Sequence, residues 1–167
     1  MVNKQALEMK MKLTDSISLS VVKDAQRLSE TQCEIILKEK NTDIIVSGKK
    51  LEAAVKVADT RFLLFTTDDV VYEESLNIFY IDIQSGIIES LSLGGEYATG
   101  TFENLSLNHN SVSFSFIGDT TWTVQVLPIP SLRLPFSDPR GVSRPMGLRK
   151  YIDISAIPAP ARADGSR

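Results

Sequence analysis

Cysteine and histidine are nearly missing: Cys33 and His109 stand alone in 167 residues. One thiol cannot close an internal disulfide, so the chain is not a stapled secreted scaffold, and the cytoplasm is the expected location. One histidine and one cysteine cannot supply the usual ligands of a zinc site, and no cofactor is expected. No stretch of about 18 apolar residues occurs, so a membrane-spanning helix is excluded and no membrane partner is expected. The N-terminal MVNKQALEMKMKLTDS has no long apolar segment and no small-residue cleavage site, so it does not read as a secretory signal.

Catalytic signatures are missing too. The chain has no G-x-S-x-G, no Walker loop and no G-x-G-x-x-G. Gly94, Gly95 and Gly100 end strands instead of opening a helix that could hold a phosphate. His109 lies in Asn108-His109-Asn110, a turn by composition. Cys33 alternates with Ile35 and Leu37, and a thiol on an apolar strand face is usually a small core residue. A Cys33–His109 dyad is therefore the weaker reading. Asp68-Asp69 and Glu73-Glu74 pair carboxylates, but glycosidase chemistry needs two carboxyls roughly 5–10 Å apart across a sugar. The spacing of DDVVYEE is not that of an EF-hand loop. The expectation is a protein that is not an enzyme.

The sharpest deficit is in positive charge. Between Arg61 and Arg133 lie 71 residues without a lysine or arginine. They carry nine acids: Asp68, Asp69, Glu73, Glu74, Asp82, Glu89, Glu96, Glu103 and Asp119. Residues 1–130 hold 11 basic and 18 acidic residues, whereas residues 131–167 hold 7 basic and 3 acidic. A clustered basic face marks a nucleic-acid binder, and this middle segment is its opposite, so no nucleic-acid partner is expected. Nine uncompensated acids either solvate the surface or build a negative potential that meets a basic partner. The basic C-terminal segment, with Arg133, Arg140, Arg144, Arg149 and Lys150, can also neutralise the acids by folding across them.

What is present is ordinary for one globular domain: 43% hydrophobic and 23% charged residues. A chain this long buries roughly two-thirds of the surface its unfolded form exposes, enough for one core. Alternation dominates, and alternation reads as strands. Met9, Met11, Leu13, Ile17, Leu19 and Val21 fall on odd positions, with a bend expected at Asp15. Residues 22–32 are the place for at most one short helix. Residues 29–40 read either as helix, opened by Ser29 and Gln32, or as strand; the strand is preferred, with a hairpin return at Asn41-Thr42. RFLLFTT is apolar on both faces and so central. LNIFYIDI and IIESLSL flank Gln84-Ser85-Gly86, a hairpin turn. In SVSFSF and TTWTVQV, Val112, Phe114, Phe116, Trp122, Val124 and Val126 share the inward side. The similarity of these two hairpins is not a propeller repeat, which needs about four blades of about 40 residues.

The expected fold is mainly β: an antiparallel meander of about ten strands forming a sandwich or open barrel. Residues 1–157 form the single domain. Residues 128–150 form a proline-rich irregular segment packed on it through Ile129, Leu132, Leu134, Phe136, Val142 and Met146. A last strand is expected over 151–155, and residues 158–167 read as a disordered tail.

Asp68-Asp69-Val70-Val71-Tyr72-Glu73-Glu74 combines a tyrosine anchor with a charged rim, as protein-binding surfaces do. With its cation-free run of nine acids and this loop, the chain resembles bacterial immunity proteins, including those paired with contact-dependent inhibition toxins. The resemblance is one of overall character and gives no single residue a role. It implies a cytoplasmic bacterial protein that binds a basic toxin domain and caps its active site; if the toxin is a nuclease, an acidic surface occupies the phosphate positions and steers encounter. The residues expected to meet the partner are Asp68, Asp69, Tyr72, Glu73 and Glu74, then Asp82, Glu89, Glu96 and Glu103. The alternatives are a carbohydrate- or small-ligand-binding β domain, stacking on Trp122, Tyr80, Tyr97 and Phe102, and a structural or assembly subunit.

Overall fold

The computed structural model describes residues 8–23, 31–68, 75–94, 100–162 and 164–167. Among the described residues there are thirteen strands and no helix. They are β1 (Lys12–Leu13), β2 (Ile17–Lys23), β3 (Gln32–Leu37), β4 (Lys40–Ser47), β5 (Lys50–Lys56), β6 (Arg61–Thr67) and β7 (Leu76–Asp82). They continue as β8 (Gly86–Leu93), β9 (Glu103–Leu107), β10 (Ser111–Ser115), β11 (Thr121–Leu132), β12 (Val142–Ser143) and β13 (Arg149–Ile157). A six-stranded sheet has the order β1-β5-β6-β7-β8-β12, a four-stranded sheet β13-β11-β10-β9, and a three-stranded sheet β2-β3-β4. Every pairing is antiparallel. The mainly β, antiparallel expectation is met, as stacked sheets and not as a closed barrel.

The six-stranded sheet lies in the middle because its strands are apolar on both sides. Odd residues of β6, Leu63 and Phe65, join Leu76, Ile78, Tyr80 and Leu91 in a core shared with Val112, Phe114, Trp122, Val124 and Ile152 of the four-stranded sheet. Even residues, Phe62 and Leu64, join Ala54, Phe79 and Ile81 in a second core shared with Ile17, Ile35, Ile44 and Val46 of the three-stranded sheet. Since side chains alternate along a strand, RFLLFTT fills both cores at once. Phe65, Phe102 and Phe114 stack with ring centroids 5.1–5.4 Å apart and tie the central sheet to the four-stranded one.

Three expectations change in detail. The β3–β4 hairpin turns at Lys38-Glu39, not at Asn41-Thr42. Both turn residues have positive φ, 48° and 65°, the mirror-image turn that matches strand twist. The displaced residues form a bulge instead: Asp43 has φ 61°, and Thr42 Oγ1 donates to Ile35 O at 2.6 Å. Second, β11 runs on through Pro128 and Pro130 to Leu132. Proline is tolerated there because β10 has already ended opposite Gln125, and the register to β13 breaks between Val126 and Ser131. Third, the count exceeds ten, partly through the two-residue strands β1 and β12. The expected bend falls at Asp15, and β13 contains the expected 151–155 strand. Val22 and Lys23 belong to β2, while the rest of the helix candidate, residues 24–30, lies outside the described residues.

Leu64 is fully buried in the second core. Leu64→Ala should cost about 2–5 kcal/mol in urea unfolding, as large-to-small core changes do. Leu148→Ala, at an exposed position, should leave stability nearly unchanged. Equal, small losses for both would mean that the three-stranded sheet is not packed on the centre.

Candidate binding surfaces

Of the nine acids of the cation-free run, the five that are described do not share one outward face. Asp82 ends β7 opposite Gly86, with Arg61 as its register partner on β6. Its carboxylate lies 3.4 Å from Arg61 Nε, accepts from Thr60 Oγ1 at 3.3 Å, and accepts from Gln84 N at 2.8 Å. Asp82 therefore caps the β7–β8 turn. Arg61 also donates to the Tyr80 hydroxyl at 3.2 Å. Burial raises the Tyr80 hydroxyl above its ordinary value of 10.0, although Arg61 pulls the other way.

Glu89 is drawn inward from β8. Its carboxylate pairs with the guanidinium of Arg144, whose side chain is only 2% exposed. The same guanidinium grips Asp138 in bidentate fashion, Nε to Oδ2 at 2.8 Å and Nη2 to Oδ1 at 2.9 Å, and donates to Ile152 O at 2.9 Å. The second oxygen of Glu89 accepts from the backbone N–H groups of Tyr151 and Ile152 on β13. Burial works to lower the Arg144 pKa, but the hydrogen bond and charge of Asp138, with the charge of Glu89, outweigh it and hold the guanidinium above its ordinary value. Asp82 and Glu89 are thus structural acids, which corrects their expected place in a partner-binding face. Asp119 faces Arg167. Glu103 is exposed on β9, at the edge of the four-stranded sheet, and Asp68 is half-buried beyond the end of β6. Asp69, Tyr72, Glu73, Glu74 and Glu96 lie outside the described residues.

The topology still sorts the run. β6 ends at Thr67, whose register partner is Leu76, and Leu76 is paired with Leu93 at the end of β8. The connections after β6 and after β8 therefore leave from the same end of the central sheet. Asp82 belongs to the other end.

The basic segment is only partly spent on neutralisation. Arg144 is matched as described, and Lys150 pairs with Asp153 at 2.9 Å. Arg133 and Arg149 have no ion pair among the described residues. The expected tail makes hydrogen bonds of its own: Pro158 O accepts from Thr120 Oγ1 at 3.1 Å and Pro160 O from Arg140 Nη1 at 3.3 Å.

The aromatic platforms of the ligand-binding alternative are core residues. Tyr80 is 1% and Trp122 2% exposed, and Phe102 packs in the aromatic trio; Tyr97 lies outside the described residues. Cys33 is fully buried in β3, donating to Gly48 O at 3.1 Å, whereas His109 is exposed between β9 and β10, in a sheet on the opposite side of the centre. No group of three His, Cys, Asp or Glu suited to a metal occurs among the described residues. An open cleft of about 860 Å³ is lined by Lys10, Lys12, Lys56, Arg61 and His109, beside Glu8 and Asp59. No local pattern announces this cation-rich cleft, because Lys10 and Lys12, at and just before β1, lie far in sequence from Lys56 on β5. No helix is long and apolar enough to cross a membrane among the described residues.

Comparison with known proteins finds no matching protein family, no matching characterised protein and no matching solved structure.

Arg144→Ala leaves two carboxylates without their cation and should cost about 3–5 kcal/mol in chemical unfolding. Arg144→Met combined with Glu89→Leu should lose less than the sum of the two single changes, which a double-mutant cycle measures. Additive losses would mean that the pair does not act as a unit.

Tyr80 supplies a pH test. An unfolded tyrosine ionises near pH 10.0, and the folded Tyr80 ionises above that. Its contribution to stability is complete below the unfolded value and is lost as pH rises through the folded one. Tyr80→Phe should remove that part of the alkaline loss in pH-dependent unfolding. An unchanged alkaline profile would contradict the buried neutral hydroxyl.

Proposed function

We propose that the chain is a non-enzymatic protein-binding domain of the immunity type, which neutralises a basic toxin domain by capping its active site. The observation that carries this reading is the sorting of the acids. Asp82, Glu89 and Asp119 are held by Arg61, Arg144 and Arg167. By sequence, Asp69, Glu73, Glu74 and Glu96 fall in the two connections, after β6 and after β8, that leave one end of the central sheet. Tyr72 sits in the first of them and Tyr97 in the second, so aromatic anchors accompany the acids. A nuclease active site is basic because it holds phosphates, and carboxylates presented from one end of a rigid stack would occupy those positions and speed encounter. The role belongs in the cytoplasm of the producing cell. The ligand-binding reading loses support, since three of its stacking residues, Tyr80, Phe102 and Trp122, are consumed by the core.

The test is association with a basic nuclease toxin domain, drawn from the neighbouring gene where one is encoded there, measured by stopped flow at low and high salt. Asp69→Lys, Glu73→Lys and Glu74→Lys together should slow association about tenfold or more at low salt, converge with the parent at high salt, and leave the thermal midpoint unchanged. Equal association rates for parent and triple variant would remove the acidic end from the mechanism.

A further inference from the structure

Of the apolar side chains of the proline-rich segment Val142 packs on the core, but most of the others point away from the protein. Leu132 is 73% exposed, Leu134 67%, Phe136 105%, Met146 101% and Leu148 84%. The segment is anchored by other means: the two-residue pairing of β12 with β8, and the Arg144 cluster. Its base is a hairpin, with Leu132 paired to Arg149 and Arg133 N donating to Leu148 O at 2.9 Å. Arg133 Nη1 also donates across the hairpin to Pro145 O.

Two features say what meets it. The first is two-sidedness. Leu132 shares a side with Arg149, and Leu148 shares the opposite side with Arg133, because partners in an antiparallel ladder point the same way and neighbours alternate. Both leucines are exposed, so the hairpin is apolar on both of its sides. A protein partner covers one side of a projection unless it has a matching socket, whereas a lipid interface surrounds an inserted hairpin whatever its shape. The second is charge. Among the described residues Arg133 and Arg149 have no ion pair, and the single carboxylate between them in sequence, Asp138, is spent on Arg144. The surface that meets these side chains is therefore apolar within and negative at its rim.

We propose that the 132–148 hairpin is an interfacial membrane anchor: Leu134, Phe136, Met146 and Leu148 enter the headgroup–acyl boundary of an anionic bilayer, and Arg133 and Arg149 bind its phosphates. No span is required for such anchoring. The hairpin base borders the start of β8, at Ile87 and Ile88, while Gly141 and Val142 of the same segment pair with Gly94 and Leu93 at its far end.

The full chain is sedimented with vesicles of phosphatidylcholine alone and of phosphatidylcholine with phosphatidylglycerol. Binding is expected to the second kind, and to weaken as salt rises. Leu134→Ser with Phe136→Ser should weaken it at least about tenfold, with an unchanged thermal midpoint, because these side chains stabilise nothing in the free protein. Arg149→Gln should weaken binding to the anionic vesicles alone. No binding to anionic vesicles at low salt overturns the proposal, as does equal binding by parent and double-serine variant. If light scattering instead shows a dimer of the parent that the double-serine variant abolishes, with no vesicle binding, the occupant is a second copy of this chain and the membrane proposal is wrong.

Discussion

One buried guanidinium joins parts of this structure that the backbone ladder leaves separate. β8 belongs to the central sheet and β13 ends the four-stranded sheet; each has an edge that its ladder does not fill. Glu89 closes the gap by offering one oxygen to the N–H groups of Tyr151 and Ile152 and the other to Arg144. Arg144 then holds Asp138 and Ile152 O, so a single side chain connects β8, β13 and the proline-rich segment. Open edges invite pairing with other chains, and a satisfied charged cluster across two of them is one way to block it. Buried ion pairs are not in themselves a source of great stability, but removing one member leaves a charge stranded, which makes the cluster hard to lose.

That use of charge also decides what is left for binding. A run of nine acids suggests one broad negative surface, yet three of them face arginines. Asp82 and Glu89 serve a turn and a sheet junction. The acids that remain near one another along the chain path belong to the two connections at the Leu76–Leu93 end.

Much of the architecture was legible from local pattern. Alternation placed Trp122, Val124 and Val126 inward, and the two-sided apolarity of RFLLFTT placed β6 at the centre. These readings work because burial imposes a period of two on a strand and removes it from a strand covered on both faces. The third sheet was not legible, since stacking joins faces far apart in sequence. Nor was the inward turn of Glu89, whose partner Arg144 lies 55 residues further on. The turn at Lys38-Glu39 carried no glycine or asparagine to announce it. In the proline-rich segment, apolar residues without a period gave no sign of which way they point. Burial was the natural expectation; Val142 meets it, whereas Ile129, Leu132, Leu134, Phe136 and Met146 are exposed.

The most direct test of the junction is amide hydrogen exchange at Tyr151 and Ile152. If Glu89 seals the outer edge of β13, both amides exchange as slowly as the centre of the sheet, and Glu89→Ala speeds them selectively. Exchange in the parent as fast as at an open edge strand would show that the buried cluster does not join the two sheets.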